Sequence, residues 1–162
     1  MADADNTILL LVDEPADDPL WRSASPDLRR RFYQYAAETA RALKLARLRK
    51  GEDVWGQPMV PVLSRSRRDR AAGPPLSPHR SESRTQKWLR ASVGQRAKTI
   101  RLWWSHGWGR ILDYHRAGVP RAGGAHGVVV RDVIGFQEED EQVWRAALRR
   151  FWVRIRVARR SA

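Results

Sequence analysis

KWLRASVGQRAKTIRLWW, Lys87 to Trp104, is the stretch on which the fold class turns. KWLRASV (Lys87 to Val93) and TIRLWW (Thr99 to Trp104) read as two short strands around the polar turn GQRAK, which together predict a hairpin. Further along, GRILDYHRAG (Gly109 to Gly118) offers a third strand and GVVVRDVI (Gly127 to Ile134) a fourth. Near the start, NTILLLV (Asn6 to Val12) reads as a short buried strand, followed by the acidic loop DEPADDP.

Two helical patterns flank this β-rich middle. Ser25 suits an N-cap, Pro26 the first helical position, and Asp27 the positive helix end. Leu28, Phe32, Tyr35, Thr39, Leu43 and Ala46 follow at helical spacing, so one apolar stripe is expected with arginines on the other side. Arg47, Arg49 and Lys50 complement the negative end, and Gly51 is a natural stop, which predicts a helix from Asp27 to Lys50. A second helix is expected from Glu138, with EEDE in its first turn and Trp144, Ala147, Leu148, Phe151, Trp152 and Ile155 on its apolar face. Its tail VRIRV (Val153 to Val157) also alternates like a strand.

The expected architecture is α+β: a small antiparallel sheet packed with two long helices, plus a long basic loop. Residues 1–24 form an acidic N-terminal strand and loop segment. Residues 25–162 form a single α+β domain with an exposed basic loop at 64–86.

Composition narrows the function. A chain of 162 residues with 42% hydrophobic residues and eight tryptophans can build one real core. No apolar run approaches the ~20 residues of a membrane span, so no membrane partner is expected. The absence of cysteine removes disulfides and thiolate chemistry. The net charge of +13 is uneven: residues 1–24 carry six acidic groups and one arginine, while Ser64 to Arg101 carries eleven basic and two acidic groups. Such a field attracts polyanions, nucleic acid above all; a merely solvated arginine-rich surface is the plainer explanation.

Three chemistries compete for WWSHGWGRILDYHRAG, Trp103 to Gly118. His106, Asp113 and His115 are side chains that a divalent metal accepts, with His126 as a further donor, which would make a metal-dependent nuclease. No compact ligand spacing accompanies them, so no metal is assigned. There is no P-loop, dinucleotide fingerprint or nucleophile elbow, and the carboxylates sit at helix ends or in the acidic leader, so neither catalytic residue nor cofactor nor small-molecule substrate is assigned. Trp103, Trp104 and Trp108 cannot all point inward from one strand, because neighbours alternate faces. They are assigned to a subunit interface in preference to a base-stacking platform.

The chain resembles the virion morphogenesis or tail-completion proteins of tailed bacteriophages, of the Mu-like kind. The resemblance rests on GEDVWGQPMVP, where Gly51, Asp53, Gly56, Pro58 and Pro61 match a Gly-x-Asp-x-x-Gly-x-Pro turn with a further proline beyond. It continues in KWLRASV, in YHRAG (Tyr114, His115, Gly118), and in VVRDVIGFQEEDEQVW with Arg131, Gly135, Phe136 and Asp140. It spans about Thr7 to Phe151; Asp132 and Val133 stand where the family has a proline, and glutamine does not follow His115. The resemblance implies a non-enzymatic structural protein acting in head–tail joining or tail completion, built as a homo-oligomeric ring around the DNA channel. Its partners would be copies of itself and phage head, neck or tail proteins, and its location the virion neck or tail terminus after assembly in the host cytoplasm. On that reading Arg65, Arg67, Arg68, Arg70, Arg80 and Arg84 face packaged DNA non-specifically. The acidic leader pairs with a basic surface on the next copy. A basic nucleic-acid-binding module is the alternative, and a metal-dependent nuclease a further one.

Overall fold

A computed structural model describes residues 7–57, 89–105 and 134–160. The predicted hairpin is present: β2 (Leu89–Gly94) pairs antiparallel with β3 (Thr99–Trp104). Its third strand comes from the N-terminus, since β1 (Thr7–Leu11) pairs antiparallel with the other side of β3. The sheet order is β1-β3-β2. The strands predicted in GRILDYHRAG and GVVVRDVI fall outside the described residues, apart from Ile134, which is not in a strand.

Alternation sorts the strand residues by face. Ile8, Leu10, Leu89, Ile100, Leu102 and Trp104 enter the core, while Leu9 and Leu11 stay 66% and 60% exposed on the opposite face. This corrects the expectation of a wholly buried first strand: a three-stranded antiparallel sheet covered on one side leaves its other side to solvent. The Val12 N–H donates to the Lys98 carbonyl at 2.7 Å. That bond sets the phase of the ladder, so Ile8 and Leu10 bond to β3 while Thr7, Leu9 and Leu11 turn their backbone groups away from it.

Three helices complete the described fold: α1 (Pro19–Arg22), α2 (Pro26–Lys50) and α3 (Glu138–Arg160). Ser25 caps α2 as expected, its hydroxyl accepting from the Leu28 N–H at 3.2 Å. Gly51 ends it in a left-handed conformation, with φ 73° and ψ 31°. The tail Val153–Val157 is helical throughout, because the Trp144, Leu148, Trp152 stripe continues in register and leaves no strand partner.

The buried face of α2 differs from the expected stripe. Leu28 and Phe32 are buried, but the face then runs through Tyr33, Ala36, Ala37, Ala40, Lys44, Leu45 and Leu48. Tyr35, Thr39 and Leu43 lie on its flank and Ala46 is exposed. Small alanines at the centre let α3 approach closely, and Trp144 fills the space, its indole N–H donating to the Ala36 carbonyl at 2.9 Å. Around them Trp21, Phe32 and Trp152 meet edge to face with centroids 5.1–6.2 Å apart, and Tyr35 stacks on Phe151 at 4.2 Å.

Candidate assembly interface

The turn after α2 is built by its own side chains. Glu52 N–H donates to the Arg47 carbonyl and Gly51 N–H to that of Leu48, the pair of bonds that closes a helix at a left-handed glycine. Asp53 then organises the next four residues: its Oδ1 accepts from the N–H of Trp55 at 2.9 Å and of Gln57 at 2.8 Å. Gly56 has φ 76°, a conformation costly for any residue with a Cβ.

This turn docks on the segment that leads into α3. The Gln137 side-chain amide donates to the Asp53 carbonyl at 3.1 Å across 84 residues of sequence. A Cβ at Gly56 would meet that amide at 3.2 Å, and a Cβ at Gly135 would meet Val54 at 3.2 Å. The Arg47 guanidinium joins the two sides, bonding both carboxylate oxygens of Asp140 (3.1 and 2.7 Å) and Glu52 (2.6 Å). The Asp140 carboxylate holds the guanidinium charged more firmly than usual, against the cost of burial and with Glu52 assisting. Lys44, only 3% exposed, donates its ammonium to the Gly135 carbonyl at 2.9 Å. The landmarks Gly51, Asp53, Gly56, Gly135 and Phe136 therefore share one junction. Pro58, Pro61, His115, Gly118 and Arg131 lie outside the described residues.

Sequence reading missed the residues that make this junction. Arg47 carried only a helix-dipole signal, and neither Lys44 nor Gln137 was given a role. At the tip of the turn Trp55 stands 73% exposed.

The aromatic interface divides. Trp104 is a correction: at 4% exposure it belongs to the core, since β3 alternation turns it inward with Ile100 and Leu102. Trp103 faces the open side of the sheet, half-buried, with the Arg101 guanidinium 5.5 Å from its ring centre. Trp108 lies outside the described residues, as do His106, Asp113, His115, His126 and the arginines at 65, 67, 68, 70, 80 and 84. Among the described residues no group of three or more histidines or carboxylates is placed to hold a metal, and no helix is long and apolar enough to cross a membrane.

The described part of the acidic leader makes several contacts within the chain. Asp13 pairs with Arg145, and Glu14 accepts from Tyr33 at 2.7 Å and lies 3.0 Å from the Lys98 ammonium. Asp18 caps α1 through the Leu20 N–H, accepts from the Trp152 indole at 2.9 Å, and lies 3.3 Å from Arg156. The Trp152 hydrogen bond, with help from Leu20 and Arg156, holds its carboxyl below the ordinary range. Asp18 also lines a shallow depression of about 690 Å³ with Asp17, Arg156, Arg159 and Arg160.

Compared with known proteins, the chain matches no family model, no curated protein and no solved structure.

Proposed function

We propose that this chain is a non-enzymatic structural protein of a tailed phage or prophage particle, acting in head–tail joining or tail completion as a ring around the DNA channel. The observation that carries the reading is the junction between two separated motifs. GEDVWG and GFQ were singled out in sequence for their likeness to that family, and they meet through Asp53, Gly56, Gly135 and Gln137. A motif pair that exists to build a rigid corner suits a scaffold, whose task is to hold surfaces at fixed angles. The open sheet face and the exposed Trp55 beside that corner supply surfaces for contact.

The test is incorporation. A tagged chain should co-purify with mature particles at a fixed copy number, and loss of its gene should leave heads and tails unjoined or tails unfinished. Particles that assemble normally without the chain, and never contain it, overturn the reading.

A nucleic-acid-binding module remains the second reading, favoured by one observation. Arg149, Arg150 and Arg154 are exposed along α3 and form no ion pair among the described residues. An ordered arginine row of this kind suits phosphate contact without base readout.

A further inference from the structure

We infer that the open face of the sheet is a seat for single-stranded nucleic acid, with Trp103 stacking on a base and Arg90 and Arg101 taking the flanking phosphates. The inference goes beyond the readings above, since it names a different surface and a different nucleic acid from the arginine row on α3.

Strand register decides which side chains share that face. The pairing sets Thr7, Trp103 and Arg90 in one row across the sheet, and Leu9, Arg101 and Ser92 in the next row outward-facing residues occupy. Trp103 therefore stands on the central strand with one arginine across from it and a second two residues along. Arg90 and Arg101 are exposed, and Trp103 is half-buried. The Arg101 guanidinium lies 5.5 Å from the ring centre and donates to the Thr7 hydroxyl at 3.2 Å, so ring and cation hold each other in place on the face.

The charge of the face is of one sign. No strand residue is acidic. The carboxylates that follow β1 are turned to other partners, Asp13 to Arg145, Glu14 to Tyr33 and Lys98, and Asp18 to Trp152 and Arg156.

Chemistry selects the occupant. An aromatic ring between two cations suits a ligand that alternates planar rings with anions, and a nucleic-acid strand is built that way. A duplex keeps its base faces inside the stack, so it would reach the arginines but not the ring. A second copy of the same face would set arginines against arginines, and like charges facing each other oppose pairing. An acidic peptide would satisfy the cations and leave the ring without a planar partner. Every base has a π-face, so no sequence preference is expected.

The experiment measures fluorescence anisotropy on the full chain with three labelled ligands of about 16 nucleotides. They are an oligothymidylate, an abasic strand with the same phosphates, and a duplex. The unaltered chain should favour the thymidylate over the abasic strand. Trp103→Leu keeps an apolar side chain without the ring, and should weaken thymidylate binding at least about fivefold while sparing the other two ligands. Trp103→Phe should keep most of the preference. Arg90→Gln should weaken both single strands and make their salt slope shallower by about 0.7, one phosphate contact. If Trp103→Leu loses native helical circular dichroism, ultraviolet crosslinking of the thymidylate to the unaltered chain decides, and the adduct should map to Trp103.

Equal affinity for the thymidylate and the abasic strand would overturn the inference, as would a Trp103→Leu chain that keeps the preference. So would crosslinks confined to other residues, tighter binding to phosphatidylserine-containing vesicles than to the thymidylate, or self-association that Trp103→Leu abolishes. Particles that contain a chain without the thymidylate preference remove this inference alone. A preference that depends on Trp103, in a chain missing from particles, sustains it and removes the particle function proposed above.

Discussion

At the scale of single residues, the junction beneath Trp55 concentrates the cost of change. Arg47 is half of an ion pair in which both side chains are only 13% exposed, with Glu52 as a second partner. Arg47→Met keeps the stem but strands the Asp140 carboxylate, so unfolding in urea should show a loss of about 3 kcal/mol. The paired change Arg47→Met with Asp140→Leu should recover much of that loss, because no buried charge is then left alone. Gly56 is costly for a different reason. Gly56→Ala places a Cβ in a left-handed backbone and against the Gln137 amide, with an expected loss of about 1–2 kcal/mol. Neither residue shows this in sequence. The glycine was readable as a turn former, but its neighbour Gln137 arrives from a distant part of the sequence.

At the scale of elements, the ends were more legible than the faces. Ser25-Pro26 and Gly51 are local signals, and the structure starts and stops α2 on them. The alternation in LRASV and TIRLWW likewise located β2 and β3 within two residues of their bounds. The buried side of α2 was not legible, because alanines and the amphipathic Tyr33 and Lys44 do the packing while larger Leu43 stays on the flank. Position in the sheet was not legible for the same reason: NTILLLV shows how apolar β1 is but not which neighbour covers it.

The tie between α1 and α3 predicts a pH signature. Asp18 is held below the ordinary carboxylate value of 3.8, chiefly by the Trp152 indole. A depressed folded value means its contribution is present above that pH and lost as pH falls through the depressed value. Thermal melts between about pH 5 and about pH 2 should therefore show stability lost toward acid, and Trp152→Phe should flatten that dependence. Tyr33 behaves in the opposite sense. Burial, reinforced by the Glu14 carboxylate, raises its phenol above the ordinary value of 10.0. Its contribution is full below that value and is lost as pH climbs past it, so Tyr33→Phe should remove the alkaline part of the profile.

At the scale of the whole molecule, charge is the feature that both functional readings must explain. The chain carries a net charge of +13, and Arg47, Arg145 and Arg156 are committed to carboxylates. Two other sets bear on the DNA question, the arginines of the sequence from Arg65 to Arg84 and the row Arg149, Arg150 and Arg154 on α3. Each phosphate contact contributes about −0.9 to the slope of log affinity against log salt on duplex DNA. Replacing the three α3 arginines by serine should make the slope shallower by up to ~2.7 if that helix carries the DNA. Replacing Arg65, Arg67, Arg68 and Arg70 should leave the slope as it was in that case, and should instead flatten it by up to ~3.6 if the loop carries it. The measurement is a salt series of fluorescence anisotropy on a random-sequence duplex, run on the full chain. A scaffold that only lines a channel requires weak contact from many copies, so the chain diluted to a monomer should bind far more weakly than the assembled chain. Equal affinity in the two states would favour the nucleic-acid-binding reading, because each copy would then carry a complete site.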